Sequence, residues 1–232
     1  MPRETFERDL QQLEDELLTL GSRVEQAITD SVAILKRRDR EAAERLVEQD
    51  RELNETRYEL EARALTLIAT QQPMAGDLRT IAAILSLASE LERIGDYAKG
   101  IASITLMMGD QALLKPLIDV PRMADKTREM LARGLQAFAE RDVDLARAVP
   151  EEDDVVDGLY NQVYRELLTY IMSDPRTIDQ ATYLLWVAHN LERAADRVSN
   201  ICERVIFTVT GKLVELKGGE RKEVTYKNQT AT

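Results

Sequence analysis

The sequence predicts an all-α protein built as two copies of one three-helix unit. Three observations carry that expectation. The 232-residue chain is rich in Ala, Leu, Glu and Arg, with only 10 Gly, 6 Pro and 5% aromatic residues. Those are good helix formers, and so few turn residues leave little material for a sandwich or barrel. Apolar residues recur three and four apart over long stretches, the spacing of one helical face. The second half of the chain also repeats features of the first. A length of 232 residues accommodates two domains of about 100 residues each. The expected division is 1–112 for the first bundle, 113–216 for the second and 217–232 for a tail.

Breakers cut the chain into six helical stretches. The first, from about Glu4 to Arg37, carries Phe6, Leu10, Leu13, Leu17, Leu20, Val24, Ile28, Val32 and Leu35 at helical spacing. Asp39 is placed to cap the second, which continues to about Thr70, because a short acidic side chain accepts from the free amides of a first turn. Gln71-Gln72-Pro73 ends it. The third runs from about Met74 to Met108 and stops at Gly109-Asp110. Pro116 and Pro121 mark a connector. The fourth spans about Pro121 to Glu140, and the fifth runs from Asp142 to Met172, where Asp174-Pro175 intervenes. The sixth begins near Thr177, with Gln180 placed for a capping box, and ends near Gly211. The remaining KGGERKEVTYKNQTAT is polar and aperiodic and reads as disordered.

Charge and cysteine content narrow the function classes. A net charge of −11 argues against general nucleic-acid binding, which needs Lys and Arg to neutralise phosphates. The basic run Lys36-Arg37-Arg38 reads as a solvated helix end, where cations suit the dipole. The single cysteine, Cys202, rules out an internal disulfide or a Cys-type zinc site and reads as a small core residue. The opening MPRETFERDL lacks the apolar segment of a signal peptide. No apolar run approaches the roughly 18 residues of a spanning helix. The cysteine usage permits a reducing cytoplasm, and the expectation is a chain that could touch a membrane protein but does not cross the bilayer.

The duplication is specific. With 84–104 set against 184–204, Leu85 meets Leu185, Ala88 meets Ala188 and Leu91 meets Leu191. Glu92-Arg93 meets Glu192-Arg193, Asp96 meets Asp196 and Ile101 meets Ile201. Upstream, Asp50-Arg51-Glu52-Leu53-Asn54 resembles Asp153-Asp154-Val155-Val156-Asp157. Leu85, Ala88, Glu92 and Gly95 share one helical stripe, repeated as Leu185, Ala188, Glu192 and Ala195. A carboxylate thus falls within an apolar or small-residue face, and it must be paired or hold a cation there. Glu92/Asp96, Glu192/Asp196, Asp50/Asn54 and Asp153/Asp157 are each four apart, about one turn. Packed face to face they would gather three or four carboxylates in each bundle, an oxygen-rich set suited to hard cations or iron. Salt bridges to Arg93 and Arg193 would satisfy the same residues. The spacing leaves both readings open.

Enzyme signatures are missing. The Glu-x-x-His of di-iron carboxylate bundles, the P-loop, G-x-S-x-G and G-x-G-x-x-G are not in the sequence. The one histidine, His189, corresponds to Ser89 in the first half and reads as structural or exposed. Trp186, within YLLWVAHNL, reads as core. A non-enzyme is expected; a carboxylate-bridged metal enzyme, a metal-storage bundle and a metal-free interaction protein are the alternatives.

At QQPMAGDLRTIAAILSLASELERIGDYAKGIA and DPRTIDQATYLLWVAHNLERAADRVSNICERV the chain resembles the PhoU family, and the resemblance extends over about residues 4–212. It implies two tandem three-helix bundles related by pseudo-twofold symmetry, whose E/D-x-x-x-D motifs hold multinuclear clusters of iron, or of another divalent cation such as zinc, manganese or magnesium. It also implies a restraining role in the phosphate-starvation response. The implied partners are a phosphate ABC transporter ATPase, a sensor histidine kinase and a second copy of the chain. The implied ligands are Asp50, Glu92 and Asp96 in the first bundle, and Asp153, Asp157, Glu192 and Asp196 in the second. Asn54 stands where the family often has Asp, offering an amide oxygen without charge. Gly100 stands opposite Asn200, one potential oxygen ligand fewer. Both departures point to the second site as the stronger.

Overall fold

The computed structural model describes residues 3–216 and the backbone of 222–223. Helix α1, Arg3–Arg37, buries Leu13, Leu17, Leu20, Val24, Ile28 and Leu35 along one stripe. It ends where Arg38 turns left-handed, at φ 56°. The Asp39 carboxylate then accepts from the Ala42 amide and opens α2, Arg40–Gln71, as its residue type predicts. Gln72, also left-handed, closes α2 ahead of Pro73. Helix α3, Ala75–Met108, buries side chains from Thr80 to Met108, many of them alanine or glycine, and stops at Gly109 with φ 59°. The connector is tied down by Lys115, a buried lysine ion-paired with Glu166.

The second repeat opens with α4, Asp119–Glu140, whose first turn contains Pro121, a position where the missing amide costs nothing. Arg141 ends α4 left-handed, as Arg38 ends α1, and Asp142 caps the next helix through the Asp144 and Leu145 amides. Both repeats thus make their first turn with the same Arg-Asp pair. The fifth stretch is not continuous. Pro150 lacks the amide a helix interior needs, so α5, Val143–Ala148, passes into a 3₁₀ turn at Val149–Glu152 before α6, Asp153–Ser173.

Pro175–Thr177 forms a second 3₁₀ turn, and α7 follows at Ile178–Thr210. The expected capping box is not formed. The Thr177 hydroxyl donates to the Asp174 carbonyl oxygen, and Gln180 donates to Gln111, because the proline turn has already set the entry to the helix. Gly211, at φ 73°, ends α7. A short antiparallel pair, β1 Val214–Glu215 with β2 Lys222–Glu223, follows. Apart from that backbone pairing, the expected tail at 217–232 lies outside the described residues.

One hydrophobic core runs through both repeats, from Leu17 and Val24 on α1 through Leu87 and Leu91 on α3 to Leu131 on α4 and Leu191 and Val198 on α7. Helix α3 packs more extensively against α7 than any other pair of elements does, and α1 also packs on α4. The pseudo-twofold is visible in the α3–α7 seam. Asn200 donates to Glu90 at 3.2 Å, and the equivalent Gly100 faces the equivalent Asn190, whose amide nitrogen would lie 3.1 Å from a Cβ at that glycine. The glycine is therefore a contact position between repeats, and the Asn200 amide is engaged there too. Cys202 is fully buried, and burial pushes its thiol up to about 12. Trp186, expected in the core, is half-exposed. The buried line through Leu184, Val187, Ala188 and Leu191 leaves position 186 on the outer flank of the helix.

Candidate metal centres

The first cluster forms where α2 meets α3. Asp50 is 5% exposed, which a lone carboxylate would not tolerate. Its compensation comes from Lys99, one turn beyond Asp96 on α3. The Lys99 ammonium lies 2.7 Å from Asp50 Oδ2 and 3.2 Å from Asp96 Oδ1. The Asn54 amide donates to the same Asp50 oxygen at 3.1 Å, so Asn54 presents its nitrogen, not its oxygen, to the cluster. Glu92 is partly buried. Its carboxyl is pushed up by burial and by Asp96, against the opposing pull of Arg57 and Arg93. Asp96 is half-exposed. A cavity of 360 Å³ opens beside the Asp50–Lys99 pair, lined by Arg23, Asp30, Glu52 and Gly95. Of the cations considered from sequence, Arg93 is exposed and acts on Glu92 only at a distance.

The second cluster is built at the start of α6. Glu152, in the 3₁₀ turn, is ion-paired with Lys126 and Arg133 of α4, and this fixes the entry of the helix that begins with Asp153. The Asp153 carboxyl is pushed up to about 7, first by burial and then by Asp157, Asp196, Glu192 and Asp154. Asp157 and Glu192 are raised as well, by burial and by Asp196. Among the described residues only Asp196 has a firm partner, Arg193 at 2.6 Å, which bears out half of the salt-bridge reading. His189 stands nearby, its Nδ1 3.5 Å from Glu192 Oε2 and its ring 6.3 Å from that of Tyr160. Asp153 Oδ1 and Glu192 Oε2 are buried and accept no hydrogen bond from the described residues.

The two clusters differ at three equivalent positions. Lys99 becomes Ser199, and the register that sets Asp50 on Asp153 sets Asn54 on Asp157 and Arg57 on Tyr160. In the first repeat three carboxylates meet Lys99, while Arg57, itself ion-paired with Glu61, acts on Glu92 at a distance; in the second repeat four carboxylates meet one arginine. The second donor set fits a hard cation, on the evidence of its two orphaned carboxylate oxygens. The first does not, because the ammonium already occupies the position between Asp50 and Asp96. In neither repeat do the carboxylates close around one point. Among the described residues, no three His, Cys, Asp or Glu side chains are arranged as ready ligands. The tight gathering expected from spacing is not found among the described residues, and in the second repeat the carboxylates raise one another by repulsion. Lys99 was the residue missed from sequence. Its signal was the three-residue step from Asp96, which puts both on one helical face.

The comparisons with known proteins agree with this architecture. Residues 17–105 and 120–205 each match the family model described as PhoU domain. The chain is 36% identical over 217 residues to a phosphate-specific transport system accessory protein PhoU homolog from Clostridium acetobutylicum, covering 93% of this chain and 99% of that one. It is 38% identical over 209 residues to a protein of the same description from Caulobacter vibrioides, covering 90% and 91% respectively. Among solved structures, the phosphate transport system regulatory protein PhoU from Streptococcus pneumoniae superimposes with a TM-score of 0.84 at 32% identity, over 91% of this chain and all of that one. Two matched repeats, relatives aligned over nearly their whole length and a shared fold establish that this chain belongs to the PhoU family.

Proposed function

We propose that this chain is a non-enzymatic regulator of inorganic phosphate uptake and of the phosphate-starvation response. In this reading it works in the cytoplasm as an adaptor between a phosphate ABC transporter ATPase and a sensor histidine kinase, and it pairs with a second copy of itself. The observation that carries the reading is the end-to-end match of both repeats to relatives described as accessory proteins of the phosphate-specific transport system. Among the described residues no helix is long and apolar enough to cross a membrane.

A divalent cation or iron belongs to this reading at the second repeat. Asp153, Asp157, Glu192 and Asp196 would hold it, and it would supply the positive charge that joins α6 to α7. Affinity purification of the tagged chain from cells, scored for the ATPase and the kinase, tests the adaptor role; recovery of neither contradicts it. Deleting the gene should release phosphate-starvation transcription in high phosphate, and unchanged expression would count against the regulatory role. Light scattering of the purified chain reads the expected dimer.

A further inference from the structure

We propose that Lys99 is the resident cation of the first repeat, held between Asp50 and Asp96 where a metal would otherwise sit, so that only the second repeat takes metal from solution. The inference rests on the reading above that the second carboxylate cluster is a metal centre, and it adds a division of labour between repeats. The ammonium touches one oxygen from α2 and one from α3, at 2.7 and 3.2 Å. It therefore makes the helix-to-helix bridge that a cation would make. An ammonium has three donors and no need of deprotonated ligands beyond the two it faces, so its pairing is internal and permanent. The side chain is 37% exposed and borders the 360 Å³ cavity, so removing it leaves room for a hydrated ion. The second repeat offers the control within the same chain: Ser199 replaces the lysine, and two carboxylate oxygens there are left without a hydrogen bond.

The test uses the full chain, stripped with chelator and titrated with manganese(II), with bound metal read by elemental analysis and calorimetry. Wild type is expected to take up metal that Asp153→Asn with Glu192→Gln removes and that Asp50→Asn leaves alone. Lys99→Ser is expected to add a binding step roughly tenfold or more tighter than wild type shows at that repeat, abolished again by Asp50→Asn. Lys99→Ser should also melt lower in chelator and recover with manganese. Lys99→Gln serves if Lys99→Ser does not fold, and Lys99→Arg, which keeps the charge, should gain no metal. Loss of wild-type metal on Asp50→Asn overturns the proposal, as does a folded Lys99→Ser and Lys99→Gln pair with no added uptake. If Asp153→Asn with Glu192→Gln leaves wild-type uptake unchanged, the second-repeat reading fails, and the comparison of Lys99→Ser with wild type alone decides Lys99.

Discussion

Asp153 is the side chain whose charge is least provided for. Its carboxyl titrates near 7 in the fold, against an ordinary value near 3.8. Between those values the folded chain retains a proton that the unfolded chain has released, so stability falls as pH rises through that window. Chelator-treated protein should therefore melt higher at pH 5 than at pH 8. Asp153→Asn should flatten the difference, and added divalent cation at pH 8 should offset it. A wild-type melting temperature that rises from pH 5 to pH 8 would contradict this. The acidic positions themselves were legible in the sequence, because four pairs at one-turn spacing recur across a duplication. The counter-charges were legible only in part: Arg193 does pair with Asp196. Arg93 and Arg193 are immediate neighbours of the glutamates, yet Arg93 points to solvent, and Lys99, on the face of α3 toward α2, bridges Asp50 and Asp96. Which cation wins depends on the crossing of α2 and α3, and that is a tertiary fact.

At the scale of elements, the helix ends were readable wherever a residue type forces the backbone. Asp39 caps α2, Gly109 ends α3 and Gly211 ends α7, as their conformational preferences require. The break at Pro150 was equally visible as a residue, but the flanking helical pattern outweighed it in the reading of one long fifth helix. The capping box at Thr177 failed because two local signals competed, and the Asp174-Pro175 turn took the threonine hydroxyl first. Packing between elements makes opposite demands on two glycines. A Cβ at Gly21 of α1 would overlap Cδ1 of Leu135 on α4, whereas Gly158 of α6 has nothing within 4 Å of that position. Gly21→Val should destabilise by about 1–3 kcal/mol through overpacking, and Gly158→Ala should stabilise by about 0.8–1 kcal/mol through helix propensity. Urea denaturation of both variants checks the pair. A neutral Gly21→Val would show that the α1–α4 seam yields more easily than its geometry implies.

Across the whole molecule, duplication suggests two independent domains, but the packing ties the repeats together. The core is continuous, α3 packs more extensively against α7 than against any other element, and α1 rests on α4. Glu90, Asn200 and Arg197 add polar links across the same seam, the last at 3.7 Å from Glu90. A repeat left alone would expose the apolar faces of two helices, and at about 25 cal/mol per Å² of apolar surface that loss is large beside the marginal stability of a small domain. The repeats should therefore unfold as one unit. Trp186 is the single tryptophan and lies in the second repeat, so its fluorescence follows that half, while far-ultraviolet circular dichroism follows helices in both. The two signals should give one coincident urea transition, the mark of two-state unfolding. Gly21→Val in the first repeat should then move the tryptophan transition as far as the helical one. If the fluorescence midpoint stayed in place while the dichroism curve split into two steps, the repeats would be separate folding units, and the shared core would be a docking surface between them.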